Sequence, residues 1–325
     1  MKQFFIFRKG LSLLAALLLL LLSAGCSKTS AMPSPTAQPE PEAITFTDAI
    51  GNEVTVSTCR RVVSLYGSFA ETWMLAGGTL VGVTDDAVDE RQLDFGDTEV
   101  SIIGSVKEPN LENIFALEPD LVLLSADIAA QVALDDVLTQ SGISHAYFQV
   151  DSFSDYLTML QQCCACTGHP ENFEVYGTSV QQQIDRVLET VQGQPSPSVL
   201  LLRAYSTGVK AKGTDNLTGV MLQDLGADNL VEHGSVLEDI SLEEILVQNP
   251  DFIFVTTMGK ESAALAFLDD NFKSNPAWSS LTAVQNENVI VLPKELFHYK
   301  PNARWGESYE VLAKFLYPQL AADLG

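Results

Sequence analysis

Positive charge is scarce in this chain: 18 Lys and Arg stand against 42 Asp and Glu, a formal net charge of −24 at pH 7. So acidic a surface repels phosphate backbones and anionic headgroups, which excludes nucleic-acid partners and passive adhesion to anionic lipid. Cysteine is sparse too. Five in 325 residues rule out the dense framework of a small disulfide-stapled module. The four histidines, His145, His169, His233 and His298, are scattered, unlike the His and carboxylate clusters that hold bare zinc or manganese. There is no G-x-S-x-G elbow, no H-E-x-x-H and no Gly-rich phosphate loop, so the common hydrolase and nucleotide signatures are missing. Cys163, Cys164, Cys166 and His169 bring thiols and an imidazole together. Adjacent cysteines chelate poorly, however, and the segment has the apolar character of a helix end, so packing is the competing reading.

What is present begins with an address. Lys2, Arg8 and Lys9 precede an apolar run from Leu11 to Leu22, the layout of a secretory signal and too short for the ~20 apolar residues of a membrane-spanning helix. It ends at Ser23-Ala24-Gly25-Cys26, which resembles a bacterial lipobox, with Ser23 where Leu is usual and Cys26 as the lipidated residue. An ordinary signal cut nearby is the alternative. Either way the mature chain lies outside the cytoplasm, and residues 1–25 are its leader. Residues 26–43 follow as a tether with Pro33, Pro35, Pro39 and Pro41 among Ser, Thr and Gln, a composition that stays extended and builds no core.

The remaining chain is long enough for two domains, and 46% hydrophobic residues can fill their cores. Short apolar runs recur at Val62–Leu65, Val81–Val83, Leu121–Leu124 and Ala146–Val150, then at Val199–Leu202, Phe252–Val255 and Val289–Leu292. Helix-period stretches separate them, so the pattern predicts an α/β fold with mostly parallel, doubly covered sheets. Leu111–Leu124 is echoed by Leu242–Val255, each unit reading as a short helix, a Pro-Asp turn and a buried strand. That wide spacing belongs to two lobes, not to a short solenoid repeat. Between the halves, Phe173, Tyr176, Val180, Ile184, Val187 and Val191 recur at three or four, predicting one amphipathic helix over 172–193. The expected division is a first lobe at 44–170, a connecting helix at 171–194 and a second lobe at 195–325.

Several motifs, in this order, resemble one family. Ile44 to Val54 looks like its opening hairpin; Arg61 to Leu65, Glu71 to Gly78 and Gly82-Val83 follow; then come the two helix-Pro-Asp-strand units and Met221 to Leu230. Together they resemble the substrate-binding lipoproteins of ABC importers for ferric siderophores, haem and cobalamin. The resemblance runs from about Ile44 to Pro318. It implies two Rossmann-like lobes joined by one long α-helix, with the ligand in the cleft between them, and a monomer that serves a permease and its ATPase. The membrane is reached only through the N-terminal lipid.

Open α/β sheets bind ligands at the carboxyl ends of their strands. The candidate lining residues therefore follow the apolar runs: Tyr66, Ser68, Lys107, Asn110 and Ser125 in the first lobe, then Arg203, Tyr205, Thr257, Met258 and the segment Phe297, His298, Tyr299, Lys300, Asn302, Arg304 and Trp305. In a chain with few cations, Lys107, Arg203, Lys210, Lys212, Lys300 and Arg304 gather at these loops. Cations beside aromatic faces suit a bulky anionic ferric chelate, most of all a ferric siderophore. Haem and cobalamin are the alternative cargoes, His298 and Tyr299 being residue types that ligate haem iron. No resident cofactor or structural metal is implied.

Glu112 and Glu243 occupy equivalent places in the echo, and the resemblance implies that one glutamate per lobe docks on permease arginines, with Glu71 and Glu244 as neighbours able to hold the role. Charges of this kind set orientation and encounter rate more than affinity. Favourable placement near a helix N-terminus is the plain alternative. Two other classes stay open on sequence grounds, a secreted lipid-anchored hydrolase and an adhesion or sensory protein that kept the fold.

Overall fold

Alternation opens the fold. Ile44–Thr47 (β1) and Glu53–Val56 (β2) turn every second side chain inward and pair as an antiparallel hairpin, Ile44 opposite Val56. The computed structural model describes residues 43–231 and 241–324; the leader, Cys26 and the tether lie outside the described residues. Pro41–Gly325 form one unit.

The predicted apolar runs then become strands buried on both faces. Val62–Ser64 (β3), Leu80–Val83 (β4), Ser101–Ile102 (β5), Leu121–Ser125 (β8) and His145–Phe148 (β9) make a parallel sheet in the order β5-β4-β3-β8-β9. A small hairpin, Gly104–Ser105 (β6) with Glu108–Pro109 (β7), hangs from its edge. In the second lobe Ser198–Tyr205 (β10) is central. It pairs parallel with Phe252–Thr257 (β13) on one side, and on the other with Asp228–Asn229 (β12) at its start and antiparallel Gly208–Ala211 (β11) at its end. Val289–Val291 (β14) extends the sheet beyond β13. Continuous apolar strands of this kind need cover on both faces, which the intervening helices supply.

The sequence echo is a structural one. Leu111–Ala116 and Leu242–Gln248 are helices capped by Asn110 and Ser241, each of which accepts an amide three residues on. Each unit then passes through a residue in left-handed backbone, Glu118 at φ 46° and Asn249 at φ 45°. Each next uses the Asp of its Pro-Asp turn to grip the start of the neighbouring strand. Asp120 accepts from Arg60 N, Arg61 N and Thr58 Oγ1, and Asp251 accepts from Ser198 N and Ser198 Oγ. The grips fix register: Val62 lies opposite Leu121, and Val199 opposite Phe252.

Three apolar clusters divide the interior. One fills the outer face of the first sheet around Val63, Val122, Leu124 and Tyr147, and one fills the outer face of the second around Leu200, Ile253 and Trp278. The third joins the inner faces of both, running from Val62, Leu121 and Tyr156 through Val180, Ile184 and Val187 to Val199, Phe254 and Leu312. The connecting helix is therefore a core element. It runs from Glu171 to Val191, but Glu174–Thr178 is π-helical, a departure from the single regular helix that periodicity predicts. Gly177 sits in this wide turn between Leu157 and Phe173, where a Cβ would crowd both side chains. π-Bulges of this kind often mark functional positions; here Tyr156 Oη donates to the Tyr176 carbonyl at 3.0 Å, tying the bulge to the first lobe. Farther along, Gln183 Nε2 donates to Glu310 Oε1 of the Trp305–Leu316 helix at 2.6 Å.

Candidate ligand cleft

Side chains that follow β3 and β4 interlock with the segment from Lys300 to Trp305 of the second lobe. Asn302 is buried, at φ 53°, and reaches into the Gly67–Leu75 helix of the first lobe. Its Nδ2 donates to the Ser68 carbonyl and to Glu71 Oε2, each at 2.9 Å, while Thr72 Oγ1 donates to its Oδ1 at 3.2 Å. Arg91 crosses in the opposite direction. It pairs with Glu71 and donates through Nη1 to Ser68 Oγ at 3.2 Å and to the Lys300 carbonyl at 3.1 Å. Burial lowers the Arg91 guanidinium to about 10, against the raising effect of Tyr66 and Tyr299 beside it. Lys300 in turn pairs with Asp151 at 3.2 Å, and Trp305 meets Phe153 edge to face at 5.9 Å.

Aromatic and cationic groups line this seam. Tyr66 caps the Gly67–Leu75 helix without a side-chain bond and packs on Phe69; burial, and then Asp86, push its hydroxyl up to about 12. Asp86 is buried under the same helix start, accepting from Gly67 N at 2.7 Å and Thr84 Oγ1 at 2.6 Å. Burial raises its pKa, in opposition to those bonds. On the second lobe His298 and Tyr299 lie ring to ring at 5.2 Å, with Lys294 Nζ 5.2 Å above the Tyr299 ring. Burial and the nearby cations Arg203, Lys294 and Lys300 lower His298 to about 3, so its imidazole is neutral. Burial, followed by a hydrogen bond to Glu90 of the first lobe, raises the Tyr299 phenol.

Among the described residues, four buried side-chain polar atoms near the seam have no hydrogen-bond partner: Arg91 Nε, Arg203 Nε, His298 Nδ1 and Trp305 Nε1. Leaving such groups unpaired costs about 1 to 3 kcal/mol each, and unpaired buried groups in a cleft are what a polar ligand can satisfy. A model of the "Periplasmic binding protein" family matches residues 62–296, well over half of the chain. The chain belongs to the periplasmic binding protein family.

As a member it is an extracytoplasmic binding component of the ABC-importer type and not an enzyme. The chain is 23% identical over 290 residues to the Fe(3+)-citrate-binding protein YfmC of Bacillus subtilis (strain 168), with 86% of this chain and 88% of that protein covered. With the Fe(3+) dicitrate-binding periplasmic protein FecB of Escherichia coli (strain K12) it shares 24% over 255 residues, 76% of this chain and 81% of that one. A periplasmic binding protein structure from Veillonella parvula DSM 2008 superposes with a TM-score of 0.70 at 18% identity, covering 87% of this chain and 94% of that chain. The fold is thus the two-lobed α/β fold expected.

The expected lining residues divide. Tyr66, Arg203, His298, Tyr299 and Lys300 come together at the seam. Tyr205 and Met258 are half-buried at the ends of β10 and β13, and Lys107 is exposed at the β6-β7 turn. Ser68, Ser125, Thr257, Phe297 and Trp305 carry almost no exposed surface. Ser68 Oγ is held by Arg91, and Ser125 Oγ accepts from Asp127 N. Asn110 acts as a helix cap. Arg304 is exposed and closes a two-point pair with its own helix neighbour Glu307, at 2.6 and 2.8 Å. Lys212 pairs with Asp215 at 2.5 Å, and Lys210 lies opposite Arg203 on β11.

Arg91, which has three partners at the seam, is absent from the sequence expectation. It stands beyond the Asp86–Asp89 helix rather than directly after a strand, and only the scarcity of arginine singles it out. Glu71 is likewise not free for docking, being held by Arg91 and Asn302. Glu112 and Glu243 are exposed in the first turns of their matching helices. The cysteines do not assemble with His169 as a metal site. Cys163 and Cys164 are buried in the shared core, and His169 is exposed beside Glu171.

Proposed function

We propose that this protein captures a ferric complex of an anionic chelator, a siderophore or polycarboxylate, in the cleft between its lobes and delivers it to a permease. The observation that carries this reading is the unpartnered Arg203 Nε and neutral His298 on one wall of a seam that also holds Arg91 and Lys300, in a chain otherwise short of cations. Arginine donors with free N–H groups suit carboxylate and catecholate oxygens through charge-assisted bonds, and Tyr66 and Tyr299 offer flat aromatic faces. The relatives named for Fe(3+)-citrate bind cargo of this class. Titration of residues 43–325 with ferric citrate, ferric siderophores, haemin and cobalamin, followed by tryptophan quenching, tests the reading. Saturable binding of a ferric chelate is expected, weakened about 10- to 100-fold by Arg203→Ala, the equivalent of roughly 1.5 to 3 kcal/mol for bonds to a charged group. Saturation by none of the ferric chelates would remove the reading.

A second cargo, haem, is favoured by one observation. A neutral imidazole is the form that ligates iron, and His298 is held neutral beside Tyr299. A haem-loaded protein would show a Soret band that His298→Ala shifts; a colourless protein that ignores haemin excludes this.

Glu112 and Glu243 are the docking charges of this reading. They project from equivalent helices on the two lobes, and the Cys26 lipid and tether would hold the cleft near the membrane. Reversing both charges is expected to abolish uptake in cells while cargo affinity stays unchanged. Normal uptake by the double variant would sink the assignment.

A further inference from the structure

All four cysteines of the described chain belong to the first lobe or pack against its core, but they are not alike. Cys163 and Cys164 are each 2% exposed, inside the shared core. Cys166, in the last turn of the Phe153–Thr167 helix, is half-buried, and so is Cys59 in the loop between β2 and β3. Cys59 and Cys166 pack against the same apolar cluster, and their thiols lie close enough to interact.

Both backbones are held in place independently of that contact. Thr58 Oγ1 and Arg60 N, the two neighbours of Cys59, both donate to Asp120 Oδ2, at 3.0 and 2.9 Å. Beside Cys166, Thr167 Oγ1 donates to the Ala76 carbonyl at 2.6 Å, and Gly168 ends the helix in left-handed backbone. The thiols therefore meet through two fixed frames, and ordered pairs of this kind in an oxidising compartment become disulfides.

We propose that Cys59 and Cys166 close a disulfide in the exported protein, clamping the entry of the first sheet to the end of the last helix of the first lobe. The oxidant is a small-molecule or protein disulfide. One cysteine thiolate attacks it, releasing the first thiol and leaving a mixed disulfide; the second cysteine thiolate then displaces the other half and forms the Sγ–Sγ bond. Two protein thiols and one disulfide become one protein disulfide and two thiols, the two protons passing to the released thiols. The neighbouring Cys166 thiol and burial raise the Cys59 thiol, so the exchange is slow without a catalyst. Cys163 also faces Cys59, one helical turn earlier, but is closed to an external oxidant by its burial. A closed loop this long removes much unfolded-state freedom.

The proposal rests on the extracytoplasmic location, and the test separates the two. The full chain is expressed with its own leader, its exposure is checked with protease added to intact cells, and it is alkylated in denaturant without reductant and mapped over the peptides from Ala43 onward. The expected result is that Cys163 and Cys164 are alkylated and Cys59 is linked to Cys166. Cys59→Ser and Cys166→Ser should each free one further thiol, whereas Cys163→Ser and Cys164→Ser leave the link intact. Reduction should lower the melting temperature by roughly 5 to 15 °C, with no such effect on Cys166→Ser. Exposed protein with Cys59 alkylated, or linked to Cys163, overturns the proposal. If the protease cannot reach the chain, the location reading has failed, and oxidised glutathione added to the purified protein decides the pairing: formation of the Cys59–Cys166 link supports it, and its absence overturns it.

Discussion

The two lobes are built alike and finished differently. Both carry the capped helix, the left-handed turn residue and the Asp grip on the neighbouring strand. Yet the first-lobe wall of the cleft spends its arginine on protein: Arg91 answers Glu71, Ser68 and the Lys300 carbonyl. The second-lobe wall keeps Arg203 Nε, His298 Nδ1 and Trp305 Nε1 unpaired, against Arg91 Nε alone on the first. One wall ties the lobes together, and in the proposed function the other is left to read the cargo. The shared core through Val180 and Ile184 makes the same point from below, since packed interiors of this density resist large hinge motion.

Breaking the committed wall should have the largest effect. Glu71→Ala strands the buried Arg91 cation and also removes an acceptor from Asn302. Losing one member of a buried pair costs about 3 kcal/mol or more, so the urea midpoint should fall sharply. If Glu71→Ala unfolds like the parent, the seam is not what holds the lobes.

The second-lobe wall should answer to pH instead. His298 titrates at about 3 in the folded chain and near 6.5 when unfolded. Between those values the unfolded chain binds the proton and the folded chain does not, so stability is unaffected above about pH 6.5 and declines as pH falls toward 3. The slope reaches about 1.4 kcal/mol per pH unit. Urea melts from pH 7 to 4 should show this decline, and His298→Gln should flatten it; an equal slope in both proteins would mean that His298 is not buried neutral.

Much of this was legible in the sequence because it is local. The runs at Val62, Leu121, Val199 and Phe252 are buried on both faces, so composition alone marks them as strands. The echo survives because Pro-Asp must supply both a turn and a carboxylate at the strand start. The cleft was legible only as a place. Which residues after a strand face the seam depends on how the chain turns there: Tyr66 faces it, while Ser68 two positions later is buried under Arg91. Arg91, Glu71 and Asn302 meet across a sequence separation that no periodicity reports. The π-helical turn at Glu174–Thr178 is equally silent, since one extra residue in a turn leaves the three-and-four spacing of Phe173, Tyr176 and Val180 intact.

The finest comparison lies within the repeat. Asp120 accepts three bonds, from Thr58, Arg60 and Arg61, while Asp251 accepts two, both from Ser198. Each aspartate anchors the chain at the entry to a parallel strand that has no turn of its own to set register. Amides left without the acceptor can turn to water at these exposed sites, so each truncation to Ala should cost only about 1 kcal/mol. Asp120→Ala should cost the more of the two, because it also releases the loop that carries Cys59. Hydrogen exchange should register the difference as faster exchange at Arg60 and Arg61 than at Ser198. Equal losses would show that the two grips are worth the same and that the third bond, from Thr58, adds nothing.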